Sequence, residues 1–240
     1  RKDVVFYINT LLPVGPALAG RIMGKHIVYH YHENAFAKGA FYKALATAMQ
    51  KLAHEIICVS EYQASFLKRE KGVIVAPNSL SNNFTNRLIP TPQTAFEGKQ
   101  ILMLGSLKLY KSPLEFIELA QKLPQFTFEL VVNDTQENIN GFMKEHKINI
   151  CKNLTIYPQQ NDVVPFYNQA SLVLNLSDKK QVVETFGLTA LEAMSAGLPV
   201  IVPTEGGIAE MVVDGENGYK IDVQNLNQIA ECIKTILSDE

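Results

Sequence analysis

Cysteine is scarce. The three residues Cys58, Cys151 and Cys232 lie far apart and no CxxC pair exists, which excludes a disulfide framework and a paired-thiolate metal site. No apolar run approaches the roughly 18–20 residues that span a bilayer. No D-x-D triplet occurs and no His/Cys cluster has ligand spacing, so no catalytic metal is expected. The net charge of −2 supplies no basic field, and nucleic acid is not an expected partner. The chain opens Arg1-Lys2-Asp3, without an initiator Met or a signal-peptide pattern, and runs straight into Val4-Val5-Phe6-Tyr7-Ile8. The expectation is an intracellular, cytoplasmic protein whose first residue lies in the middle of a longer sequence.

What is present is 240 residues, 47% hydrophobic and 19% charged. That composition is not that of a disordered chain. The length allows one large domain or two small ones. Charge divides unevenly: residues 1–77 hold 10 Lys/Arg against 5 Asp/Glu, and residues 78–240 hold 12 against 19. Such asymmetry suggests two parts with different partners, although a chance partition of solvated charge gives the same numbers.

Short apolar runs alternate with helix-period segments. The expected strands are 3–9, 26–31, 55–59, 72–76, 100–105, 127–133, 153–157, 171–176, 198–202 and 218–222. The expected helices are 38–53, 61–70, 113–123, 135–145, 162–170, 187–196 and 225–237. Near-continuous β-branched strands separated by helices predict an α/β fold with parallel sheets covered on both faces, in a doubly wound pattern. The alternation breaks over 77–98, which is rich in Pro, Asn, Ser and Thr and coincides with the charge switch. The expected division is a partial first domain over 1–80, a linker over 81–98 and a second domain over 99–240. Ser60 reads as a helix cap. Ser112-Pro113-Leu114-Glu115 combines capping-box spacing with Pro at the first helical position.

The most informative segment is 183–218. Glu184 precedes Phe186-Gly187-Leu188-Thr189, which opens a helix running to about Ser195, with Gly197 after it and a strand beyond. A glycine at the helix mouth lets a ligand approach the backbone, and the free N–H groups with the helix dipole favour a phosphate there. Eight helical residues rise about 12 Å, so Glu184 and Glu192 do not form one paired site. Glu184 is expected in the loop and Glu192 in the second turn, each on a different part of an extended ligand. A carboxylate can accept hydrogen bonds from two neighbouring sugar hydroxyls.

Taken alone, two glutamates at this spacing are ordinary surface residues. Embedded in E-x-F-G-L-x-x-x-E-A-M-x-x-G-x-P-V-I-V, they make the segment resemble the retaining glycosyltransferases of family 4. The likeness continues through Gly206-Gly207-Ile208-x-Glu210 and Asp214-Gly215-x-x-Gly218. It also reaches Gly105-Ser106-Leu107-Lys108-Leu109-Tyr110-Lys111-Ser112, where the family usually reads G-R-L-x-x-x-K-G, and it covers most of 55–237. The resemblance implies the GT-B architecture: two Rossmann-like, doubly wound parallel-sheet domains, the N-terminal one here incomplete. It implies that Glu192 binds the ribose hydroxyls of a nucleotide-sugar donor and that Glu184 contacts the donor sugar. The backbone at Phe186, Gly187, Leu188 and Thr189 would meet the sugar and the distal phosphate. Lys111 would neutralise the diphosphate, beside Gly105. Ser106 replaces the family's arginine, without its charge or fork, and Lys108 is a candidate to restore the charge.

The resemblance also implies a histidine facing the donor sugar. In His30-Tyr31-His32-Glu33, His32 is preferred and His30 is the alternative; they read as alternating on their strand, so that one of them faces the ligand. Ser60-Glu61 and Pro77-Asn78-Ser79 are further family landmarks. The family implies no cofactor beyond a UDP- or GDP-sugar donor, and a glycan or lipid-linked acceptor in bacterial cell-surface polysaccharide assembly. Relative to a full member, the chain reads as truncated at both ends, and its exposed half-sheet edge offers a route to oligomers. The rivals are a GT-B sugar-nucleotide epimerase, which would epimerise donor without acceptor, and a non-catalytic nucleotide-sugar-binding subunit needing a partner chain.

The basic balance of residues 1–77 generates one prediction. If it serves peripheral contact with an anionic membrane face, the chain co-sediments with anionic vesicles at low salt and is released at high salt. Equal binding to neutral vesicles removes the electrostatic account.

Overall fold

In the computed structural model, residues 4–33, 39–89 and 96–238 are described. Residues 1–3, 34–38, 90–95 in the linker, and 239–240 lie outside them. The chain divides into two compact units: Arg1–Ser79 with Glu184–Phe186, and Leu80–Val183 with Gly187–Glu240.

The first unit is a four-stranded parallel sheet in the order β1-β2-β3-β4. The strands are β1 (Val5–Asn9), β2 (His26–Tyr31), β3 (Glu55–Cys58) and β4 (Val73–Val75). Between them run α1 (Val14–Ile22), α2 (Ala40–Leu52) and the single turn α3 (Glu61–Ala64). One sheet face, bearing Ile8, Ile27, Tyr29, Tyr31, Ile56 and Cys58, packs on Ala17, Ala46 and Met49 of the two longer helices. On the other face Val5 and Tyr7 remain 53% and 57% exposed. Burial pushes the Cys58 thiol up to about 12, an inert packing group.

Two elements differ from the sequence expectation. The helix expected over 61–70 stops after one turn, because the Lys68 N–H donates to Gln50 Oε1 at 2.7 Å instead of continuing the helical ladder. The Arg69 guanidinium then ties the following chain to the carbonyls of Gln50, Ala53, His54 and Lys71. The helix at Val14–Ile22 was hidden by Pro13, Gly15 and Pro16; both prolines sit at its entry or in its first turn, where no helical N–H is lost. Ser60 caps α3 as expected, its Oγ accepting from Gln63 N at 3.1 Å.

The second unit is a six-stranded parallel sheet in the order β10-β9-β8-β5-β6-β7. Its strands are β5 (Gln100–Gly105), β6 (Thr127–Val132), β7 (Leu154–Tyr157), β8 (Leu172–Leu174), β9 (Val200–Val202) and β10 (Gly218–Lys220). Its helices are α4 (Asn82–Thr85), α5 (Pro113–Lys122), α6 (Gln136–Glu145), α7 (Val164–Gln169), α8 (Leu188–Ser195) and α9 (Leu226–Ser238). Here both faces are covered. Ile101, Met103, Phe128 and Leu130 meet α5, α6 and α9 on one side. Leu102, Val131, Val173 and Val200 meet α7 and α8 on the other. This is why the strands read as unbroken apolar runs.

The capping box expected at Ser112 is not formed. Ser112 is 1% exposed, lies in the left-handed region at φ 56°, and makes no side-chain cap bond. It closes the tight turn Leu109–Lys111 instead, with its N–H on Leu109 O, so its hydroxyl is not delivered to the helix start. Pro113 does occupy the first helical turn.

β10 approaches β9 so closely that a Cβ at Gly218 would lie 2.2 Å from Val200 O. Gly218→Ala must therefore part the two strands. It should cost about 1–3 kcal/mol of stability, read as a lowered denaturation midpoint; an unchanged midpoint would mean that the pairing is loose.

Candidate functional site

The strand order of the second unit reverses between β5 and β8: the chain first moves outward through β6 and β7, then returns to build β8, β9 and β10 on the opposite side. In such sheets the crevice beyond the carboxyl ends of the two diverging strands is left unfilled by the connecting helices, and ligands bind there. β5 ends at Gly105, followed by Ser106 and the turn Leu109–Lys111. β8 is followed by Asn175 and Ser177.

Side chains join these two ends. Lys111 Nζ reaches Ser177 Oγ at 3.4 Å. Ser177 N donates to Asn175 Oδ1 at 3.1 Å, and Asn175 Nδ2 lies 3.4 Å from Thr189 Oγ1 in the first turn of α8. A Cβ built on Gly105 would sit 4.0 Å from Lys111 Cβ. Lys111 and Thr189 are thus joined by one polar chain across the switch point, with Gly105 beside Lys111. Ser106 is half-buried beside Gly105. Lys108 is exposed and lines a hollow with Asp134, Glu137 and Glu145, and it shares the Tyr110 ring with Lys111, their Nζ atoms lying 5.9 and 5.7 Å from the ring centre.

The start of α8 carries no side-chain cap. Its first recorded backbone bond joins Leu191 N to Gly187 O at 2.9 Å, so the N–H groups of Leu188 and Thr189 are not used within the helix. Gly187 has a packing reason of its own. A Cβ there would fall 2.3 Å from Ile208 Cγ1, so the glycine is required by packing against Ile208.

Glu192 lies in the second turn of α8, as the spacing predicts. Its Oε2 accepts a 2.5 Å hydrogen bond from the hydroxyl of Tyr167. Burial pushes the Glu192 carboxyl above its ordinary pKa, and the Tyr167 hydroxyl partly opposes that. The Tyr167 hydroxyl is driven well above the usual phenol range, by burial first and the Glu192 charge second, and stays protonated. Nearby, a hollow of about 180 Å³ opens at the carboxyl ends of β5 and β6, lined by Gly105, Val132, Asn133, Gln159 and Gln160.

The first unit contains the remaining candidates, Glu184, Phe186 and His32. The Thr185 hydroxyl donates to His32 O at 2.8 Å, which brings the Glu184–Phe186 segment against the end of β2. His32 Nε2 contacts Asn9 Oδ1 at 2.7 Å, and the Glu33 carboxylate accepts from Leu11 N. His30 and His32 do not alternate. Residues two apart on a strand share a face, and the two rings lie 3.9 Å apart. His30 meets the Tyr7 hydroxyl at 2.5 Å through Nδ1, and its pKa is lowered by burial and by His32. Just ahead of this cluster Thr10 holds φ 74°, a strained setting for a β-branched residue.

Sequence reasoning missed Tyr7, Asn9, Tyr167, Asn175 and Ser177. Tyr167 alone carried a signal: a tyrosine in an apolar helix needs a partner for its hydroxyl.

The chain matches the family model described as Glycosyl transferases group 1 over residues 88–240. The N-acetyl-alpha-D-glucosaminyl L-malate synthase of Bacillus anthracis is 32% identical over 111 residues, which are 46% of this chain and 28% of that protein. The poly(glycerol-phosphate) alpha-glucosyltransferase of Bacillus subtilis is 23% identical over 88% of this chain and 31% of its own length. Among solved structures, Anabaena Alr3699/HepE in complex with UDP and glucose superposes with a TM-score of 0.80 at 21% identity, covering 98% of this chain and 68% of that one. The chain therefore spans about a third of the length of these two curated relatives. With the family match covering more than half of its residues and two Rossmann-like parallel sheets beneath it, the chain belongs to the glycosyl transferases group 1 and has the GT-B fold.

Proposed function

We infer that this chain carries the donor-binding part of a retaining glycosyltransferase. It moves a hexosyl group from a UDP- or GDP-sugar to a hydroxyl of a glycan or lipid-linked acceptor. The observation that carries this reading is the placement of Glu192, Thr189 and Lys111 around one topological switch point: a carboxylate in the second turn of α8, open N–H groups at its first turn, and a lysine linked to that turn through Ser177 and Asn175. The Anabaena neighbour is described in complex with UDP and with UDP-glucose, and the relatives' names include a glucosyltransferase and a sugar-malate synthase.

In this reading Glu192 accepts two ribose hydroxyls and the base enters the hollow beside Asn133 and Gln159. The diphosphate meets the N-terminus of α8 and Lys111, with Gly105 and Ser106 at the floor. Gly187, Leu188 and Thr189 present backbone to the sugar and distal phosphate. The glycosidic bond breaks toward an oxocarbenium-like state as negative charge grows on the departing phosphate, and preorganised positive charge stabilises that growth. Two carboxylates about 5–9.5 Å apart, as hydrolysis requires, are not part of this arrangement. A setting in cell-surface polysaccharide assembly, at the cytoplasmic membrane face, completes the proposal.

A binding screen of UDP-, GDP- and ADP-sugars with product analysis tests it; no affinity for any of them sinks the reading. Glu192→Ala should weaken free nucleoside diphosphate and sugar nucleotide alike, by about 1.5–3 kcal/mol, in calorimetry. Lys111→Ala should lower turnover by roughly 10²–10³ and affect donor binding far less, because its interaction strengthens in the transition state. Normal turnover in that variant removes Lys111 from the mechanism. Chelator should leave the rate unchanged.

A further inference from the structure

Tyr167 is 1% exposed. Its ring belongs to the core between the sheet and α7–α8, edge-on to Phe84 at 6.0 Å between ring centres. A tyrosine buried this deeply must place its hydroxyl on a partner. An interior carbonyl would satisfy it at no risk to function. Its short bond goes instead to Glu192 Oε2 at 2.5 Å, with Thr189 O a distant second at 3.4 Å.

The bond matters more to Glu192 than to the tyrosine. Glu192 is half-buried, and among the described residues no cation is paired with it. Burial alone drives such a carboxyl toward its neutral form. A neutral carboxyl turns one oxygen into a donor and accepts more weakly from two adjacent hydroxyls. The Tyr167 hydroxyl is a donor that favours the ionised form. It also fixes the side chain, because a short bond from a ring locked in the core leaves the carboxylate little rotational freedom. Oε2 is held from the core side, and among the described residues no donor reaches Oε1.

We propose that Tyr167 is the positioning residue of the ribose site: its core-anchored hydroxyl holds Glu192 Oε2 and so orients the carboxylate for its remaining lone pairs to accept the two ribose hydroxyls of the donor. The proposal rests on the ribose role given to Glu192 above. It means that donor affinity is written partly in the hydrophobic core, through a residue that touches no ligand.

The test is calorimetric titration of the wild-type chain, Tyr167→Phe and Glu192→Gln with UDP and GDP, from about pH 5.5 to 8.5, with thermal melts of each. Phe keeps the ring in the core and removes only the hydroxyl. The pH sign follows from the two opposing influences on Glu192. Losing the hydroxyl leaves burial unopposed, so the carboxyl protonates at higher pH and affinity begins to fall earlier on acidification. Tyr167→Phe should weaken binding about three- to tenfold and move that fall upward by about half to one pH unit. Glu192→Gln should weaken binding and abolish the difference in pH profile. With 2′-deoxy-UDP the penalties of both variants should shrink together. If Tyr167→Phe keeps wild-type affinity and pH profile while Glu192→Gln is weakened, the positioning role is wrong and the ribose reading stands, whatever happens to the melting temperature. If Glu192→Gln binds as wild type, or the wild type binds neither diphosphate, the ribose reading fails and this inference with it.

Discussion

In the second unit the parallel strands are buried on both faces, and that constraint arranges everything else. Connecting helices have to cover each side in turn, so the chain winds outward from β5 in one direction and then in the other. The reversal leaves β5 and β8 adjacent, with their carboxyl-end loops diverging. The candidate side chains then fall on loops or early helical turns at that edge: Ser106 and Lys111 after β5, Asn175 and Ser177 after β8, Thr189 and Glu192 in the first two turns of α8. The site is a by-product of covering a sheet, furnished afterwards with polar groups.

Much of this was legible in the sequence, and the reasons are local. Each of the ten strands was marked by a β-branched or apolar run between breakers, and each lies within the expected segment. The start of α8 and the second-turn position of Glu192 followed from spacing alone. What could not be read depended on partners distant in sequence. The early stop of α3 is decided by Gln50 and Arg69 reaching across from other segments. The failure of the Ser112 cap comes from a backbone already turned left-handed by the preceding tight turn. α1 was masked because prolines read as breakers are harmless at a helix entry. The pairing of His30 with His32 was a matter of strand geometry, where the two-residue period puts both rings on one face.

The candidate site shows the same division. Glu184, Glu192, Lys111 and Gly105 announce themselves as a motif. The groups that hold them do not: Ser177 and Asn175 look like ordinary loop residues, and Tyr167 looks like core. Their roles exist only once strands far apart in sequence are neighbours. The likeness to GT-B structures covers nearly all of the chain at about 20% identity, as expected when packing pattern survives and individual side chains do not.

Gly187 and Ile208 lead somewhere else. Ile208 has no exposed surface, and it occupies the space that a side chain at 187 would need. The backbone at the mouth of α8 is therefore fastened to an interior residue. It cannot lift away without uncovering that residue to water. Amide hydrogens at the helix mouth should then exchange with solvent only when a large part of the unit opens, even though the segment stands at the surface. A surface turn with the exchange behaviour of a core strand would meet any ligand already in shape.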